Sequence, residues 1–81
     1  MTTAEVTIRY WAGAATAAGC ASEPADAGSV AQVLDQACQR HPELAPVLRV
    51  ASILVEGVRA DRDELVPAGA TIEVLPPFAG G

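Results

Sequence analysis

Residues 29–42 are the part of this 81-residue chain that most restricts its fold, because they can be read only as a helix. Ser29 is a good N-cap and Gln32 follows three places on, the spacing at which the two side chains satisfy each other's free backbone N–H groups. Val30, Val33, Leu34, Ala37, Cys38 and His41 then recur at i, i+3, i+4, i+7, i+8 and i+11, one stripe of an α-helix. Ala31, Asp35, Gln36, Gln39 and Arg40 fill the remaining positions. Pro42 stops the helix, since the residue before proline avoids helical angles. A helix with a single apolar stripe needs a surface to cover, and the segments on either side carry the two-residue period of strands.

Residues 5–11 alternate strictly. Val6, Ile8 and Tyr10 point to one face, and Glu5, Thr7, Arg9 and Trp11 point to the other. Residues 12–28 are rich in Ala and Gly. A turn near Ala12–Ala15 and a weak strand over Ala17–Glu23 are expected, pairing with the first strand as a hairpin. Glu43–Arg49 is expected to add a helical turn or two, with Leu44, Val47 and Leu48 over one end of the core. Residues 51–56 read as a third strand, Gly57 as a turn, Val58–Ala60 as a short strand, Asp61–Leu65 as a polar turn and Pro67-Ala68-Gly69 as another turn. Thr71–Leu75 is the last strand, with Ile72 and Val74 inward. The order strand, strand, helix, strand, strand predicts an α+β domain, one sheet covered by one helix. Residues 1–75 form that domain, and 76–81 are expected to be a flexible tail.

Composition narrows the function classes. The net charge of −5 argues against nucleic acid and anionic membranes, which call for clustered Lys and Arg. All five basic residues are Arg, so the chain has no lysine. No segment has the form of a signal peptide or approaches the roughly 20 apolar residues of a membrane span, and a cytoplasmic location is expected. Cys20 and Cys38 lie 18 apart with no CxxC, so neither a disulfide scaffold nor a metal site is expected. Cys38 reads as a core thiol. Cys20 has no neighbouring cation in sequence to activate it. His41 reads as a helix C-terminal residue favoured by the dipole.

The tail carries the chemistry. The sequence closes on Pro76-Pro77-Phe78-Ala79-Gly80-Gly81. Two prolines favour an extended path, and six residues past Leu75 reach at most about 20 Å, enough to thread into another protein's active site. Gly80 and Gly81 pass a narrow channel because no Cβ blocks close approach. Phe78 is an aromatic anchor for a partner, unless it folds back onto the core. A carboxylate at Gly81 is a poor electrophile until a nucleotide-using partner makes it an acyl-adenylate. Sulfide can then displace AMP to leave a thiocarboxylate. Strand parity also sets Trp11, Leu54 and Leu75 on the sheet face away from the helix, a docking patch beside the tail; a one-residue slip of register would reverse it.

With these segments assembled, the chain resembles the small subunit of molybdopterin synthase, a ubiquitin-like sulfur carrier of the MoaD/ThiS-like family. The segments that carry the likeness are Val6-Thr7-Ile8-Arg9-Tyr10-Trp11-Ala12, Ser29–Leu34, Arg40-His41-Pro42 and Leu75–Gly81. The resemblance implies a β-grasp fold, a mixed sheet packed on one main helix. It implies adenylation of Gly81 by a ubiquitin-activator-like adenylyltransferase that uses ATP and Mg²⁺, with no cofactor bound by this chain itself. It further implies that the tail enters the large subunit of molybdopterin synthase and gives sulfur to cyclic pyranopterin monophosphate. Trp11 matches an interface aromatic, and Phe78 stands where the family more often has Val. The chain departs from the pattern at Ala14-Ala15-Thr16, where many relatives carry an Arg, and at Val55-Glu56-Gly57, where Val-Asn-Gly is common.

Other readings share the Gly-Gly ending: a sulfur carrier for thiazole or cysteine synthesis, a modifier that joins Gly81 to a target lysine, or an interaction domain with an inert tail. A β-grasp ferredoxin is excluded, because its cluster needs four cysteines.

Overall fold

The computed structural model describes residues 4–77. Strand β1 (Glu5–Tyr10) buries every second side chain, Val6, Ile8 and Tyr10, as its alternation requires. It pairs antiparallel with β2 (Ser22–Asp26) and parallel with β7 (Thr71–Leu75). β7 pairs antiparallel with β4 (Ser52–Val55), and β4 with β5 (Val58–Arg59). The sheet order is therefore β2-β1-β7-β4-β5, mixed, with the first and last strands side by side at its centre.

Helix α2 (Val30–Arg40) lies across one face of this sheet, and its Val30, Val33, Leu34 and Ala37 are buried. The capping box is formed: Gln32 N–H donates to Ser29 Oγ at 3.1 Å, and Ser29 N–H donates to Gln32 Oε1 at 2.8 Å. The N–H groups of Val30 and Ala31 donate to the carbonyls of Glu64 and Arg62. Three of the first-turn donors that a helix leaves unpaired are thus satisfied. Gln36 clamps the helix to the strand before it, donating to Asp26 O at 2.9 Å and accepting from Asp26 N–H at 2.8 Å. Helix α3 (Leu44–Val50) buries Leu44 and Leu48. Its Pro46 sits in the first turn, where the missing N–H costs no intrahelical bond.

The Ala- and Gly-rich stretch departs from expectation. In place of a turn at Ala12–Ala15 and a strand over Ala17–Glu23, a six-residue helix α1 (Gly13–Ala18) follows β1, and β2 begins only at Ser22. Alanine has the highest helix propensity. Ala14 and Ala18, four apart, bury against the core, and Gly19 ends the helix in the left-handed conformation, its N–H bonded to Ala15 O at 2.8 Å. The hairpin of β1 with β2 forms as expected, joined through this helix. A second departure lies within the expected polar turn over Asp61–Leu65. Its end enters a short strand, β6 (Leu65–Val66), paired with β3 (Gly28–Ser29) just before α2.

The core is a single cluster between the sheet and the three helices. The result is the β-grasp, ubiquitin-like α+β fold, a mixed five-stranded sheet on one main helix.

Candidate functional site

The parallel pairing of β1 with β7 decides where the tail begins. Tyr10 lies opposite Val74, and Trp11 N–H donates to Val74 O at 3.2 Å. Trp11 and Leu75 therefore leave the sheet together, at the end where β4 enters with Ser52 opposite Leu75. Pro76 is half-buried and Pro77 exposed at this point. Phe78, Ala79, Gly80 and Gly81, named above as anchor, threading residues and reactive end, lie outside the described residues.

The register fixes which side chains share the open face of the sheet. Arg9 stands opposite Glu73, Leu54 opposite both Glu73 and Arg59, and Leu75 opposite Ser52. Trp11, Leu54 and Leu75 thus lie on the side away from α2. Trp11 is 37% exposed, whereas Leu54 and Leu75 are half-buried among their neighbours. The indole is held from two sides. Its Nε1–H donates to Glu73 Oε2 at 3.0 Å, and the Arg9 guanidinium carbon stands 4.6 Å from the ring centroid, within the range of a cation–π contact. The patch is therefore an apolar strip with a fixed aromatic and a charged border of Arg9, Glu73 and Arg59.

On the other face, at the same end of the sheet, lies a polar cluster that the sequence did not announce. Tyr10 OH donates to Glu23 Oε2. His41 Nε2 lies 2.9 Å from the same oxygen and 3.1 Å from Oε1. Arg40 Nη1 stands 3.4 Å from Glu23 Oε1 and also donates to Pro24 O. The Tyr10 and His41 rings meet edge to face with centroids 6.4 Å apart. His41, read from sequence as a helix C-terminal residue, also has a partner in Glu23, which β2 brings across from 18 residues away. The late start of β2 puts Glu23 opposite Ile8, on the helix side of the sheet.

The electrostatics follow from these contacts. Desolvation pushes the Glu23 carboxyl upward, but the hydrogen bonds from Tyr10 and His41 and the charges of His41 and Arg40 prevail and hold it below its ordinary value. Desolvation, followed by the bond to Glu23 and its charge, pushes the Tyr10 phenol far above its ordinary value. Cys20 is raised by desolvation and then by Glu23. Cys38 is half-buried rather than enclosed. It lines a shallow cleft of about 280 Å³ with Leu34, Leu48 and Arg62, and desolvation and Asp35 raise its thiol.

Among the described residues no helix is long and apolar enough to cross a membrane. No curated protein matches the chain in sequence. Among solved structures, small archaeal modifier protein 1 from Haloferax volcanii is similar at 25% identity, with a TM-score of 0.85 over 95% of this chain and 99% of that one. A chain of the BexX/CysO complex from Amycolatopsis orientalis is similar at 24% identity, TM-score 0.82, over 94% and 99%. A chain of the complex of subunits 1 and 2 of the molybdopterin-converting factor from Helicobacter pylori is similar at 22% identity, TM-score 0.71, over 95% and 99%. At the last two identities the likeness is one of fold. The model of the ThiS family matches residues 8–81, and the chain belongs to that family of ubiquitin-like sulfur carriers and small modifiers.

Proposed function

We propose that this protein is a sulfur carrier whose Gly81 carboxylate is adenylated, converted to a thiocarboxylate and used to give sulfur to cyclic pyranopterin monophosphate in molybdopterin synthesis. In the first step a carboxylate oxygen attacks the α-phosphorus of ATP, and pyrophosphate leaves with Mg²⁺ in the activating partner. Sulfide then attacks the acyl carbon and AMP departs, so one oxygen of the carboxylate is replaced by sulfur. The chain contributes the acyl group and a surface that two partners read in turn, an adenylyltransferase and a large synthase subunit.

The observation that carries this reading is the placement of Trp11 beside Leu75–Pro76 by the parallel register of β1 and β7. A partner that grips the indole and the Leu54–Leu75 strip has the root of the tail at the edge of its contact. The absence of lysine supports the same reading, since an activated acyl group meets no side-chain amine on its own chain. The Tyr10-Trp11-Ala12 and Pro76-Pro77-Phe78 segments favour the molybdopterin branch over thiazole or cysteine synthesis.

A second reading is that of a protein modifier, favoured by the similarity to the Haloferax volcanii modifier. It shares the activation step and then joins Gly81 to a lysine of a target. Intact mass spectrometry after incubation with the activator, ATP and a sulfur source separates the two. The carrier gains the mass difference between sulfur and oxygen on Gly81, and deletion of Gly81 abolishes the gain while the domain stays folded. An unchanged mass with a competent activator refutes carriage, and covalent adducts on a denaturing gel support the modifier.

A further inference from the structure

Cys20, Glu23 and His41 come from three different elements: the bend after α1, strand β2 and the C-cap of α2. Their donor atoms, one sulfur, one carboxylate oxygen and one imidazole nitrogen, all lie within 4.8 Å of one another. We propose that these three side chains form a binding site for a single divalent ion of the zinc class.

The donor set fits that class. Zinc is borderline-soft and takes Cys sulfur at about 2.3 Å and His nitrogen or carboxylate oxygen at about 2.0–2.2 Å, usually in a tetrahedron. Donors at those lengths stand roughly 3.3–3.8 Å apart. Glu23 and His41 are already at 2.9–3.1 Å, so they separate slightly while Cys20 closes in. Cys20 is the donor best placed to shift, because it lies in a bend outside regular structure and only half-buried, packed against the edge of the core rather than enclosed in it. A hard ion such as magnesium prefers an all-oxygen octahedron and finds none here.

Charge and surroundings agree with the donor set. A thiolate, a carboxylate and a neutral imidazole sum to −2, which a divalent ion neutralises. The thiol proton of Cys20 passes to solvent on binding, as metal coordination by cysteine requires. His41 coordinates through Nε2 with its ring proton on Nδ1. The carboxylate has an outer partner in Tyr10 OH, the kind of support that orients a ligand toward an ion. Among the described residues Arg40, 3.4 Å from Glu23 Oε1, is the opposing charge at the site. Its side chain is 42% exposed, and it keeps the Pro24 carbonyl as a second partner, so it can lean away. The Glu23 and His41 side chains are 14% and 23% exposed, leaving a fourth position open to water, as in zinc sites with three protein ligands.

The test uses the full chain, stripped with chelator and kept reduced, titrated with zinc by calorimetry and with cobalt as a spectroscopic stand-in. The site predicts one ion per chain and a thiolate-to-cobalt charge-transfer band. Cys20→Ser and His41→Gln each weaken binding by more than the roughly 10–100-fold that loss of an outer partner costs, and Cys20→Ser abolishes the band. Tyr10→Phe weakens binding about tenfold. Cys38→Ser leaves both the stoichiometry and the band intact. Circular dichroism checks each fold, and Cys20→Ala replaces Cys20→Ser if the latter does not fold. No stoichiometric zinc, cobalt bound without the thiolate band, or binding that survives loss of Cys20 overturns the proposal. None of these readouts involves the tail, so the result is independent of sulfur carriage.

Discussion

Glu56 is a residue at which this fold conflicts with its own sequence, and its replacement gives a sharp test. Val55 and Val58 pair across the β4–β5 hairpin, leaving Glu56-Gly57 as a two-residue loop with φ of 49° and 80°. Positive φ at both central residues is the turn whose twist matches the strands, and it prefers Asn-Gly. An ordinary L-residue in the left-handed region loses about 1–2 kcal/mol through crowding of Cβ and carbonyl. Asparagine tolerates that region several-fold better than most residues. Glu56 is exposed, and its N–H donates to Thr71 O at 3.0 Å, a bond that any replacement except proline keeps. Glu56→Asn therefore removes strain, at the cost of one exposed negative charge, and should stabilise the domain by about 0.5–1 kcal/mol. At about 4–8 °C per kcal/mol for a domain of this size, the thermal midpoint rises by roughly 2–8 °C. Gly57→Ala is the matching control. An added Cβ there meets no atom within 4 Å, so its expected loss of about 1–2 kcal/mol is conformational alone. Urea unfolding followed by circular dichroism reads both. A Glu56→Asn midpoint at or below that of the parent would refute the assignment of strain to this residue.

The helix cap gives a second test. A Cβ on Gly28 would meet Gln32 Oε1 at 2.6 Å, the atom that accepts from Ser29 N–H. Gly28→Ala should cost about 1 kcal/mol, and the double variant with Gln32→Ala should cost less than the sum of the two; strict additivity in urea melts would count against the shared bond. Because the Glu23 carboxyl is held below its ordinary value of 4.5, its contribution is fully present above that pH and fades as the pH falls through the folded-state value. Tyr10→Phe removes one donor, so acid unfolding of the chelated chain should move to higher pH, and an unmoved transition would contradict the bond. Tyr10 itself ionises near 10.0 only once unfolded, so stability should decline as the pH rises beyond that value, and less in Tyr10→Phe. On the open face, Trp11→Ala should weaken binding of a large-subunit partner by about 1–3 kcal/mol while the thermal midpoint changes little, measured by calorimetry on the pair. Unaltered affinity would move the interface elsewhere.

The fold was legible wherever hydrophobic period and end signals agreed. Val6, Ile8 and Tyr10 alternate and are buried. Ser29 and Gln32 form the reciprocal cap that their spacing promises, and Ile72 and Val74 face inward. It was not legible over residues 12–22. Alanine there satisfies helix and strand patterns equally, because a methyl group gives almost no amphipathic contrast. What decides the matter is tertiary: Ala14 and Ala18 are small enough to let α1 close against the core, and six residues would not hold a helix alone. The β3–β6 pair escaped for a related reason, since two-residue strands carry no period at all.

The two faces of the candidate site differ in legibility for the same physical reason. Trp11, Leu54 and Leu75 could be assigned to one face because parity is local to each strand; the register sets Leu54 and Leu75 on that side, and Trp11 Nε1–H reaches Glu73 there. Glu23 and His41 could not be joined, because their meeting depends on where β2 starts, and that depends on the length of α1. Had the strand begun at Ala17, the antiparallel register would have carried Glu23 beyond Ile8 toward the far end of β1. The short helix consumes those residues and places Ser22 opposite Arg9 and Glu23 opposite Ile8, so that the carboxylate arrives beneath the C-cap of α2. The weakest sequence signal in the chain thus sets the position of its most polar cluster. Lengthening α1 by one residue should separate Glu23 from His41 while leaving the Trp11 patch in place, because Trp11 precedes the insertion and is held by β7.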